Sequence, residues 1–245
     1  MIKAKIVSLL FLSLILLLSF SCETGYDERT RHHSEQTHDY GKKDKKPTLQ
    51  DKYQNNDFIS TLGDGSSRWI WQKPDLVVKQ IGPLEGKVVA DIGAGPSGYF
   101  SLHIAYNEHV KKIIAMDIDK EAISYMSMLQ QLLAKEIQPR FETRLVEPDD
   151  AKLAPGEVDV ILIVNTVTYF EERVKYFKHL MDGIAPGGKL VIVDFKKKKT
   201  PVGPGISERL AIGEIEEELN AAGYKRIISD DRTLEYQYII TAYKD

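Results

Sequence analysis

From Val88 onward, short unbroken runs of Val and Ile alternate with longer stretches of helical spacing. Strands buried on both faces read this way, and such strands occur where helices cover each side of a parallel sheet. The runs predict strands over residues 87–92, 112–117, 141–146, 158–164 and 189–195, with helices over 99–108, 120–135 and 171–184 between them. Ala185-Pro186-Gly187-Gly188 predicts a helix stop and a tight turn into the fifth strand. A Pro/Gly loop follows, then a helix over 206–222 stopped by Gly223 and two last strands over 224–229 and 235–243. The expected fold is a doubly wound α/β sheet of about seven strands, mostly parallel, with a C-terminal antiparallel strand.

The rest of the chain does not share this pattern. Lys3 and Lys5 precede an apolar run from Ile6 to Phe20 that ends at Ser21-Cys22, the layout of a signal segment too short for a comfortable membrane span. Cys22 is the only cysteine, so no internal disulfide forms, and its position resembles the lipid-attachment cysteine of bacterial lipoproteins. Ser21 suits that reading, whereas Ser19 and Phe20 depart from the usual pattern; an uncleaved anchor and simple secretion stay open beside it. Residues 23–54 are polar and balanced in charge, which predicts a flexible tether. His32, His33 and His38 lie there without the surroundings that fix metal ligands, so no metal is expected. The expected organisation is 1–22 signal or anchor, 23–54 tether and 55–245 a single domain, for which 245 residues at 42 % hydrophobic suffice. A net charge of −3 gives no basic field for nucleic acid, so no such partner is expected.

Asp91-Ile92-Gly93-Ala94-Gly95-Pro96-Ser97-Gly98-Tyr99-Phe100 joins the first strand to the first helix of the sheet. Glycines there permit a sharp turn and close approach of a ligand to backbone, and amides at the helix start suit an anion. Asp117 ends the second strand, where a carboxylate can accept hydrogen bonds from both ribose hydroxyls of an adenosine; capping of the next helix is its other reading. A nicotinamide cofactor has the same requirements. Asp91 argues against it, because a carboxylate beside the turn repels a pyrophosphate and attracts an amino acid's ammonium group.

These residues resemble motif I of the class I S-adenosylmethionine-dependent methyltransferases, whose domain is Rossmann-like, and the likeness runs from about Trp71 to the C-terminus. The resemblance implies S-adenosyl-L-methionine as cofactor, with Asp91, Gly93, Ala94 and Gly95 along its methionine portion and Asp117 on its ribose. The loop is one residue longer before Gly98 than in the family, so the role of Gly98 in the site stays open. Asp149-Asp150-Ala151 is placed like the family's acid that meets the adenine amino group, with Asp150 the preferred residue and Ala151 beside it. The run ending at Asn165 resembles the fourth strand, whose end faces the transferred methyl, and 185–192 resembles the turn and strand that follow.

Methyl transfer from a sulfonium relies on alignment and exclusion of water, so a dedicated base is not obligatory. Asn165, Thr166, Thr168 and Tyr169 follow the fourth strand at the end where ligands of such sheets bind, which makes Asn165 and Tyr169 the catalytic candidates. Tyr169 has a second reading as a ring packed over the sheet edge. Trp69 and Trp71 read as a lid or as a brace for the sheet, and His103 as a packing residue. Lys196 to Lys199 reads as a solvated loop or as a seat for an anionic acceptor. The expected activity is methyl transfer to a small-molecule acceptor by a membrane-anchored protein of the bacterial cell envelope. Export separates the domain from a cytosolic cofactor, which keeps a non-catalytic nucleoside-binding lipoprotein, and then a nicotinamide-dependent reductase, as alternatives.

Overall fold

A computed structural model describes residues 65–244. The signal segment, Cys22 and the tether lie outside the described residues, and among those described no helix is long and apolar enough to cross a membrane.

Seven strands form one sheet in the order β3-β2-β1-β4-β5-β7-β6. They are β1 (Val88–Ile92), β2 (Lys112–Asp117), β3 (Phe141–Leu145), β4 (Val158–Val164), β5 (Ile184–Phe195), β6 (Arg226–Asp230) and β7 (Gln237–Tyr243). Pairs among β1 to β5 are parallel, and β7 runs against both of its neighbours. The alternation of strand and helix thus yields the expected Rossmann-like doubly wound sheet. The order reverses between β1 and β4, which puts the ligand-binding crevice at their carboxyl ends.

One face packs on α1 (Gly65–Gln72), α2 (Pro74–Ile81), α3 (Tyr99–Asn107) and α4 (Lys120–Leu132). Val89, Ile113, Ala115, Leu162, Val191 and Ile239 meet Val77, Ile81, Phe100, Ile104 and Met126 there. The other face packs on α5 (Arg173–Gly183) and α6 (Ile212–Ala222) through Ile114, Ile161, Ile163, Ile192, Phe177, Leu180, Ile215 and Leu219. Successive residues of each strand alternate between the two clusters, as the period of an extended chain demands.

Beyond shifts of one to three residues at the ends of elements, two stretches differ from the sequence expectation. Ala185-Pro186-Gly187-Gly188 is not a free turn: β5 begins at Ile184, pairs there with Val158, and resumes at Lys189 after a bulge. An added Cβ at Gly188 would lie 2.6 Å from the Asp159 carbonyl oxygen, so the bulge needs that glycine against β4. The helix expected over 206–222 is divided into a 3₁₀ turn at Ile206–Glu208 and α6. Arg209 sits between them, buried, and its guanidinium donates to the carbonyls of Lys196, Lys198, Val202 and Pro204. A helix running through Arg209 would carry that fork away from the loop it holds.

Candidate active site

The turn after β1 is built by hydrogen bonds to the end of β2. Gly93 and Ala94 donate their amides to the Met116 carbonyl at 2.9 and 3.0 Å, and Gly95 donates to Asp117 Oδ2 at 2.8 Å. The Gly98 amide closes on the Gly95 carbonyl. These four amides are therefore engaged within the protein, and at Gly95 the turn presents bare Cα surface. At Gly95, with φ +67, an added Cβ would meet nothing within 4 Å. At Gly93, with φ +75, it would lie 2.4 Å from Thr166 Oγ1, so β1 and the segment after β4 touch through a missing side chain. Gly98 takes the extra length of the loop: at φ +52 it caps α3 and faces Met126 of α4, which makes it a packing residue.

Asp117 is 1 % exposed and is held by two backbone donors, Gly95 to Oδ2 and Asp119 to Oδ1 at 3.1 Å. Helix capping falls to Asp119, whose side chain accepts from the Glu121 amide. The two backbone donors fix the Asp117 carboxyl at the end of β2, beside the turn.

Asp91 is buried beneath the turn and accepts from Ser101 Oγ at 2.7 Å, which ties β1 to α3. Burial pushes its carboxyl up to about 6, against the pull of the Ser101 hydrogen bond and the Arg68 charge. Arg68 comes from α1, with its guanidinium 4.2 Å from the centre of the Tyr99 ring.

A cleft opens beside the turn, lined by Gly93, Asp117, Ile118, Val146, Glu147, Pro148, Thr166, Phe170 and Tyr176. Phe170 and Tyr176 pack with ring centres 4.5 Å apart and give it an aromatic wall. Asp150 lies away from this lining. Its Oδ1 accepts from the Lys152 amide at 2.7 Å and meets His179 Nε2 of α5 at 3.0 Å, two contacts that hold the carboxyl below its ordinary value. Glu147 and Pro148 stand where the sequence suggested Asp150, because the bridge between Glu147 and Asp150 folds the segment back on itself. Ala151 is fully buried in the core.

Asn165 follows β4 in a left-handed conformation, φ +54, with its amide on the Val193 carbonyl at 2.9 Å. Tyr169 closes a 3₁₀ turn at Val167–Tyr169 and is half-buried, as is Thr168, while Thr166 is buried against the glycine turn. Trp71 braces the end of β5, its ring centre 5.4 Å from that of Phe195. Trp69 meets His103 edge-on, and His103 Nε2 lies 3.1 Å from Asp75, so His103 packs α1 and α2 on α3. Of the lysine run, Lys196 donates to the carbonyls of Leu234 and Glu235, whereas Lys197, Lys198 and Lys199 are exposed. Among the described residues no cluster of His, Cys, Asp and Glu could hold a metal ion.

The family described as "Methyltransferase domain" matches residues 90–190, which run from inside β1 to the start of the apolar part of β5 and include the glycine turn, Asp117 and Asn165. These residues are a methyltransferase domain.

A structure of an S-adenosylmethionine-dependent methyltransferase from Aquifex aeolicus is similar at 26 % identity and a TM-score of 0.65, covering 75 % of this chain and 95 % of that one. Phosphoethanolamine N-methyltransferase 1 of Arabidopsis thaliana is 24 % identical over 195 residues, which cover 75 % of this chain and 36 % of that protein. The chain thus spans about a third of the length of this curated relative. The Haemonchus contortus phosphoethanolamine N-methyltransferase 2, solved with phosphomonomethylethanolamine and S-adenosylhomocysteine, shares the fold at 18 % identity and a TM-score of 0.55, over 65 % of this chain and 38 % of that one.

The methyltransferase domain is of the S-adenosylmethionine-dependent kind, and its residues fit that cofactor. Asp117 would hold the ribose and the open face of Gly95 would lie against the methionine portion, with the Asp91 carboxyl under the turn on the side of an ammonium group. Ile118, Val146 and Phe170 supply apolar walls for an adenine. Arg68, Phe170 and Tyr176 escaped the sequence reading. Arg68 stands before the first predicted element, and the two rings lie on a short turn and a helix where spacing shows only packing.

Proposed function

We propose that the protein transfers a methyl group from S-adenosyl-L-methionine to a small-molecule acceptor, and that it does so tethered to a bacterial cell envelope through its N-terminal segment. The observation that carries the enzymatic reading is the bond between Gly95 and Asp117, which holds the glycine turn against the acid that ends β2 inside a methyltransferase domain. The cofactor supplies an electrophilic methyl on a sulfonium. Asn165 and Tyr169 stand after β4, where the acceptor would be aligned with it. The buried floor of the site would exclude water and orient the two partners, and the proton of an amine or hydroxyl acceptor would leave to solvent. The signal-like segment and Cys22 support the envelope location.

Phosphoethanolamine and its methylated forms head the trial acceptors, since a curated relative is named for that substrate and Lys197 to Lys199 lie exposed beyond the end of β5. Calorimetry on the full chain with S-adenosylmethionine, S-adenosylhomocysteine and NAD tests the cofactor. Tight binding of the homocysteine product with no NAD binding is expected; preference for NAD replaces the reading with a reductase. Incubation with methyl-labelled cofactor and a panel of amines, phosphobases and hydroxy compounds then finds the acceptor. Cofactor binding without transfer to any component of cell extracts would favour a nucleoside-binding role.

A further inference from the structure

A line of buried amides runs from α1 to the end of β4. Arg68 Nε donates to Gln72 Oε1 at 2.5 Å, Gln72 Nε2 donates to Gln237 Oε1 at 3.1 Å, and Gln237 Nε2 donates to Asn165 Oδ1 at 2.6 Å. Gln72 and Gln237 are both 0 % exposed, so each depends on protein partners for its amide. Residues 165 and 237 lie 72 positions apart, and residues 72 and 237 lie 165 apart, so three separate elements converge on this line.

The direction of the line follows from its first member. A guanidinium only donates, so Gln72 must turn its oxygen toward Arg68 and its NH2 toward Gln237. The same requirement passes to Gln237, and Asn165 is left with its oxygen engaged. No hydrogen bond engages Asn165 Nδ2 among the described residues, and the next residue, Thr166, lines the cleft and abuts Gly93 of the glycine turn. A left-handed backbone at Asn165 holds the side chain in this place at some conformational cost, as is common where a residue serves a ligand.

We propose that Arg68, Gln72 and Gln237 are positioning residues that fix the polarity of Asn165, so that the site presents a hydrogen-bond donor, and not an acceptor, to whatever lies at the methyl-transfer position. The inference rests on the cofactor reading above. It implies an acceptor that offers Asn165 an oxygen lone pair, from a hydroxyl, carboxylate or phosphate group. It also makes α1 a working part of the site, because undocking α1 removes the donor that sets the line.

The test compares two ligands on the full chain by calorimetry: S-adenosylhomocysteine, and sinefungin, the analogue that carries a protonated amine where the methyl stands. A donor facing that amine disfavours sinefungin, and an acceptor favours it. Asn165→Asp puts an acceptor there directly and should raise the sinefungin preference about tenfold, the equivalent of one hydrogen bond. Gln72→Glu keeps a partner for Arg68 but offers only acceptors to Gln237. Gln237 must then reverse, Asn165 must donate to it, and Oδ1 must face the ligand, so this remote change should shift the preference in the same direction. Gln72→Leu breaks the line and should give a smaller shift of the same sign, which decides the matter if the first variant at that position fails to fold. A preference that responds to Asn165→Asp but to neither change at Gln72, or to none of the three, overturns the proposal while leaving cofactor binding standing. A wild-type chain that binds neither ligand overturns both.

Discussion

The amide of Gly95 donates to Oδ2 of Asp117 over 2.8 Å, so the turn after β1 and the end of β2 hold one another in place. Asp117→Ala therefore has two effects. Loss of two charge-assisted hydrogen bonds to a ribose should weaken S-adenosylhomocysteine binding about a hundredfold or more, and loss of the Gly95 partner should reduce stability by about 1–3 kcal/mol. Calorimetry and denaturant melts separate the two, and an unchanged affinity removes Asp117 from the site.

Asp91 gives the fold a pH dependence. Its carboxyl titrates at about 6 when folded and near 4 when unfolded, so between those values the folded chain keeps a proton that the unfolded chain has released. The stabilising contribution is complete below about pH 4 and is lost as pH rises through about 6, on the order of 3 kcal/mol in all. Asp91→Asn should abolish this slope. Denaturant melts of both proteins from pH 4 to 7 provide the check, and a constant difference between them would refute the assignment. A ligand ammonium beside the turn favours the ionised form, so S-adenosylhomocysteine should bind more tightly above pH 6 than below it in the wild type and less so in the variant.

Gly93 and Gly95 share a left-handed backbone but differ in surroundings. Gly93→Ala adds a clash with Thr166 to the conformational cost and should destabilise the fold by about 2–4 kcal/mol. Gly95→Ala meets open space and should cost only about 1–2 kcal/mol, yet reduce cofactor affinity because its new methyl covers the ligand surface. Equal thermal shifts in the two variants would show that the contact with Thr166 does not limit this turn.

Arg209 holds the segment after β5 through the carbonyls of four residues, with its guanidinium 5.0 Å from the centre of the Phe195 ring. Lysine cannot reproduce that planar fork. Arg209→Lys should lower stability by about 2–4 kcal/mol and open Lys197, Lys198 and Lys199 to trypsin at protein concentrations where the wild type resists cleavage. A loop equally resistant in both proteins would mean that the carbonyl contacts are dispensable.

The strands of this fold were legible because burial on both faces leaves an apolar run with no competing pattern: β2 and β4 match their expected ends. Boundaries set by a single side chain were not legible. Arg209 interrupts an otherwise helical stretch for the sake of carbonyls that are remote from it in the local pattern, and Gly188 serves a bulge whose need arises only when β4 is alongside. The closeness of the glycine turn and Asp117 could be read because strand, turn and acid follow in a fixed order. The engagement of the turn's amides depends on Met116 across the sheet, and the line from Arg68 to Asn165 joins residues whose proximity no local spacing records. The contact of Asp150 with His179 was not legible either, because His179 approaches from a helix beyond the next strand.

The position of β7 has a consequence for assembly. It is the last described strand in the chain, yet it lies between β5 and β6 and carries Gln237, the member of the amide line that touches Asn165. Until it arrives, one side of β5 is an unpaired edge and Asn165 has no one to set it. A chain emerging from a ribosome or a translocation pore would thus reach its binding-competent form only with its final strand, and a nascent chain held short of Gln237 should be vulnerable to sticking to its neighbours.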